Sequence, residues 1–117
     1  MSYNIDTWRT KEINDLRVPL ASLHDLPRTT VELHHEGISA HGLSEGFELH
    51  GSLDGAMVRV TAITSYGEAS GSTFPTLMAL LKLSTGTLIA VQVWEGGDSI
   101  TRLTVRDGVI MKEQIEL

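Results

Sequence analysis

The chain has 117 residues, 41% of them hydrophobic and 21% charged, with a net charge of −6 and no cysteine. That fits one soluble globular domain over residues 1–117 and excludes disulfide frameworks, thiolate metal sites and cysteine nucleophiles. The acidic excess argues against nucleic-acid binding by simple charge.

The longest unbroken apolar run, residues 77–81, falls far short of the ~20 residues a membrane span needs. Residues 1–6 lack the basic and apolar regions of a secretory signal, so a cytoplasmic location is expected. Further on, Ile13, Leu16, Leu20 and Leu23 follow helical spacing. Pro19 inside such a helix would cost about 3 kcal/mol or more. Leu16, Val18 and Leu20 alternate, which favours an edge strand that tolerates Pro19. Residues 5–13 are then assigned to a short helix with Asp6 as its cap.

Residues 30–36 set Val31, Leu33 and His35 against Glu32, His34 and Glu36, the period of a strand. The next signal is Asp54-Gly55 between strand-like segments. A two-residue turn there pairs Leu53 with Ala56, Gly51 with Val58, Leu49 with Val60 and Phe47 with Ala62. One face of that hairpin is apolar or glycine. The other carries Glu48, His50, Ser52, Met57, Arg59 and Thr61.

Over residues 74–83, Phe74, Leu77, Met78 and Leu81 fall on one helical face. Ser72 or Thr73 can cap this helix, Pro75 suits its first turn, and Gly86 stops it. Residues 87–94 are apolar on both alternations, the pattern of an interior strand covered on both faces. A glycine turn at 95–98 leads to a strand over 99–106. Asp107-Gly108 then pairs Arg106 with Val109, Val105 with Ile110, Leu103 with Lys112, Arg102 with Glu113 and Ile100 with Ile115. Both faces of this last hairpin are mixed, which places it toward a sheet edge.

These elements predict an α+β fold. A curved antiparallel sheet of about five to six strands packs on one central helix at about 73–84, with a half-open barrel as a variant. A helix followed by sequential strands rules against doubly wound parallel folds.

Charge is uneven. Residues 31–71 hold Arg59 alone against Glu32, Glu36, Glu45, Glu48, Asp54 and Glu68, together with His34, His35, His41 and His50. Such a segment either keeps the domain soluble or steers a basic partner toward it.

His34, Glu36 and His50 could share a face if their strands pair, the donor set of a transition-metal site. No tight ligand spacing accompanies them, and no metal or cofactor is expected. The glycine-rich stretch 67–73 enters a helix but lacks the lysine of a phosphate-binding loop and carries Glu68. No nucleophile elbow is present, and exposed turn carboxylates such as Glu95 and Asp98 make poor acid–base catalysts. Trp94, beside that turn, suits either a core cap or an interface anchor.

The leading expectation is a small acidic protein that acts by protein–protein binding, such as an immunity protein or inhibitor of a basic, nuclease-type toxin. Its candidate contact residues are Glu32, Glu36, Glu45, Glu48, Asp54, Trp94, Glu95 and Asp98. A ligand- or metal-binding domain with a pocket between helix and sheet is the alternative, and an enzyme without a catalytic motif known from sequence the third. A homodimer through an exposed strand edge is compatible with all three.

Overall fold

A computed structural model of the chain describes residues 6–35, 37–43, 45–65, 74–94 and 99–116. Its strands are β1 (Asp6–Pro19), β2 (Thr29–Leu33), β3 (Ile38–Gly42), β4 (Phe47–Asp54), β5 (Met57–Ser65), β6 (Thr85–Trp94), β7 (Ser99–Arg106) and β8 (Val109–Glu116). Two helices accompany them, α1 (Leu20–His24) and α2 (Pro75–Leu81). All eight strands form one antiparallel sheet in the order β2-β3-β4-β5-β1-β6-β7-β8. The sheet is antiparallel as expected, but it is larger than five or six strands and open rather than barrel-like.

β1 departs most from the sequence reading. Residues 6–13 are strand rather than helix, and the strand is central rather than an edge. The reason lies in its pairing with β6, whose register shifts between Thr10 and Glu12 and again between Asn14 and Arg17. Each extra residue flips the alternation, so the core positions fall at Trp8, Ile13, Leu16 and Val18. The interval of three from Ile13 to Leu16 imitates a helix. Pro19 ends the strand opposite Met57 and starts α1 with φ −64°, where its fixed dihedral costs nothing.

The hairpin at Asp107-Gly108 has the expected register in every pair. Both turn residues have positive φ, 46° and 83°, as a type I′ turn requires. The β4–β5 hairpin differs by one step. Asp54 pairs with Met57, so the turn is Gly55-Ala56, with φ +62° at Gly55 alone. That fits a turn that takes glycine first. Leu53 therefore meets Val58 and Gly51 meets Val60, and the apolar face is kept. A bulge beyond His50 then puts Ile63 opposite Leu49 in the core and turns Ala62 to the other face beside His50.

The core lies on one face of the sheet, here called inner. Leu16, Val18, Leu49, Val58, Leu88, Leu103 and Val105 pack there with Leu77, Leu80 and Leu81 of α2 and Leu23 of α1. The helical spacing over 74–83 thus describes a real helix, and Pro75 stands in its first turn. Its start is unexpected. Phe74 is the N-cap, in a left-handed conformation at φ 53°, and its ring meets Trp8 edge-on at 5.6 Å. Ser72 and Thr73, the expected caps, lie outside the described residues.

Candidate functional site

Strand registers show what the opposite, outer face presents. On β2–β4, Glu32 pairs with Ser39, Ser39 with His50, and His41 with Glu48. Glu48 is the hub of this array. Its Oε1 lies 2.8 Å from His50 Nε2 and 3.9 Å from His41 Nε2. His34 Nε2 lies 2.8 Å from Ser39 Oγ, the spacing of a nucleophile and its base. Ser39, however, is only 1% exposed, so no substrate carbonyl can reach its hydroxyl. Here the hydrogen bond satisfies a buried polar group.

The middle of the outer face is a lattice of crossed ion pairs. Arg17 and Arg59 are neighbours across β1 and β5. Arg17 Nε contacts Asp54 Oδ2 at 3.0 Å and Arg59 Nη2 contacts Asp15 Oδ1 at 3.3 Å. Opposite charges thus separate two arginines that alternation forces together.

Across β6–β8 the outer face becomes apolar. Reading across the registers, Val93, Ile100 and Ile115 form one row, and Ile89, Thr104 and Met111 another. Between them runs the row Val91, Arg102 and Glu113. Ile89, Val91, Val93 and Ile100 are half-buried, while Met111 is 66%, Val109 63% and Ile115 42% exposed. β6 is therefore interior to the sheet as expected, but only its inner face is covered by a second layer among the described residues.

The acidic residues singled out from sequence do not share one surface. Glu32 is exposed and Glu48 half-buried, both on the outer face. Asp54 is exposed at the β4–β5 turn and tied to Arg17. Glu45 is 6% exposed and faces inward. Its carboxylate accepts the Thr76 amide at 2.9 and 3.0 Å and the Leu77 amide at 3.3 Å. It supplies the cap that Phe74 cannot, at the positive end of the helix dipole. Such a buried carboxylate is withdrawn from any acidic contact face. Glu36, Glu95, Asp98 and the side chain of Trp94 lie outside the described residues.

The metal set His34, Glu36 and His50 is answered in part, since Glu36 is not described and His34 and His50 hold Ser39 and Glu48. Among the described residues no three His, Asp or Glu side chains are set to hold a metal ion. A hollow of about 650 Å³ lies at the β7–β8 hairpin, lined by Thr104, Arg106, Asp107, Val109 and Met111. It lies on the outer face rather than between helix and sheet, where Leu77, Leu80 and Leu81 are fully buried. Sequence reading passed over Gln92, which is 7% exposed on the inner side opposite Trp8. Its amide has no hydrogen-bond partner among the described residues, and a glutamine inside an apolar strand was the signal that could have found it.

No family model, curated protein or solved structure matches the chain. No helix among the described residues is long and apolar enough to cross a membrane.

Proposed function

We propose that this protein acts by binding another protein, with the outer face of its sheet as the contact surface and a basic surface on the partner. The supporting observation is that face itself. Glu32 and Glu48 stand on it with His34, His41 and His50, and no second layer covers it among the described residues. A net charge of −6 favours encounter with a cationic surface. An immunity protein or inhibitor that occludes the basic active site of a nuclease-type toxin is the form of this activity that the charge suits best.

The test is kinetic. With a partner captured from the native cell, Glu32→Lys and Glu48→Lys together should slow association about tenfold, with a smaller effect on dissociation. Raising salt to physiological strength, where the Debye length is about 8 Å, should reproduce part of that loss. An association rate indifferent to both would leave the acidic segment as a solubility device. Glu45→Gln is the internal control, since a buried carboxylate on the helix side should leave the rate unchanged.

A further inference from the structure

We propose that the protein forms a two-fold dimer in which β8 of one copy pairs antiparallel with β8 of a second, merging two sheets into one. The inference is independent of the partner reading above. It starts from a difference between the two ends of the sheet. β2 is five residues long, follows closely on Pro27, and has α1 packed against it. Short strands, proline and a covering helix are the usual devices that blunt a sheet edge. Among the described residues β8 has none of these three, and Lys112, opposite the buried Leu103, is the one charge on its inner side. Its eight residues contain no proline or glycine and pair with β7 in one unbroken register. The backbone groups on its far side are a template for another strand, flanked by exposed Val109, Met111 and Ile115.

A second copy is selected as occupant because the edge complements itself. A two-fold axis that joins edge strands antiparallel stands perpendicular to the sheet, so outer-face residues meet outer-face residues. Two alignments keep most of the strand paired. One sets Val109 against Ile115 of the partner subunit, but it also sets Met111 against Glu113 of the partner subunit and Lys112 against Lys112 of the partner subunit, like charges opposite each other with no opposite charge beside them in the row. The other pairs residues 110–116 of each copy. Met111 then meets Ile115 of the partner subunit at two symmetric places, apolar on apolar. The two Glu113 residues meet at the axis, but each has Arg102 of its own copy next in the row, so that row reads Arg, Glu, Glu, Arg. The row Val93, Ile100 and Ile115 runs on into the second copy's Met111, Thr104 and Ile89. This second alignment is the one the geometry favours.

Light scattering on the eluting wild-type chain at about 100 µM should give twice the chain mass of 12.8 kDa. Met111→Lys should elute as a monomer with an unchanged far-ultraviolet spectrum, because the side chain is exposed and makes no core contact. Adding Ile115→Glu to that variant should restore the dimer, since the introduced ammonium at 111 faces the introduced carboxylate at 115 of the other copy. The restored dimer should also be more sensitive to salt. In the wild type, exchange of the β8 amides should slow as concentration rises. A monomeric wild type, a dimer that survives Met111→Lys, failure of the double change to restore it, or concentration-independent β8 exchange would each overturn the proposal.

Discussion

The outer face of the sheet has two halves that solve the same problem differently. Over β2–β5 it is polar, and several of its side chains are paired: Glu48 with His50, His34 with Ser39, and Arg59 with Asp15 of β1. Over β6–β8 it is apolar rows around one Arg–Glu row, and Arg102 and Glu113, though register partners, make no ion pair within 4.0 Å. Alternation alone would permit either pattern on an uncovered face. The polar half is at home in water, whereas the apolar half has exposed surface to lose, which is why recognition by charge is assigned to one and association to the other.

The turns of the two hairpins give the largest expected contrast. Gly108 has φ +83°, and a Cβ there would stand 2.5 Å from the Lys82 carbonyl oxygen. Asp107 also binds Gly86, accepting from its amide and donating to its carbonyl, both at 2.9 Å. The β7–β8 turn is thereby locked to the start of β6. Gly55 has φ +62° but open space around it. Gly108→Val should cost about 3 kcal/mol in urea unfolding and Gly55→Val about 1–2 kcal/mol, the latter from backbone strain alone. Equal losses would mean that the second turn is no more constrained than the first.

Next comes the link from the polar half to the helix. Glu45→Ala strips the Thr76 and Leu77 amides of their acceptor. A loss of about 2–3 kcal/mol is expected, with Glu45→Gln retaining part of it, because charge-assisted capping bonds are the strong ones. A loss under about 0.5 kcal/mol for the alanine would show that water replaces the carboxylate freely.

How much of this was legible depended on how regular each strand is. The β7–β8 register followed from Asp107-Gly108 because nothing interrupts it. β4–β5 was right in face and wrong by one step in its turn, since Asp-Gly and Gly-Ala turns are both compatible with the same alternation. β1 was unreadable because two bulges erase its period. β3 went unseen because its residues, Ile-Ser-Ala-His-Gly, contain one β-branched apolar side chain and are defined by neighbours rather than by propensity. The acidic segment was visible as composition, but whether a glutamate points outward like Glu32 or inward like Glu45 is a matter of loop geometry that no charge count contains.

Gln92 offers a smaller test, on the apolar half of the molecule. Its buried amide lacks a partner among the described residues, and its strand neighbours on the inner face are Trp8 and Thr101. Gln92→Leu should raise stability by about 1 kcal/mol, since an apolar side chain of similar size removes an unmet desolvation cost. A loss of similar size in urea unfolding would mean that the amide is solvated in the fold.

The smallest effect belongs to the seam between the halves. Arg17 on β1 and Asp54 at the β4–β5 turn make a 3.0 Å contact with side chains 36% and 55% exposed. Exposed pairs of this kind couple by about 0.2–1 kcal/mol, and added salt reduces the value. A double-mutant cycle of Arg17→Ala and Asp54→Ala should therefore find a coupling in that range that shrinks in molar salt. The same cycle separates two roles for the charged lattice. A coupling well above this range would make the ion pairs a brace that holds the hairpin on the central strand. The expected small coupling leaves the brace to the backbone ladder between β5 and β1, and keeps the arginines and aspartates as a solvated margin between the polar and apolar surfaces.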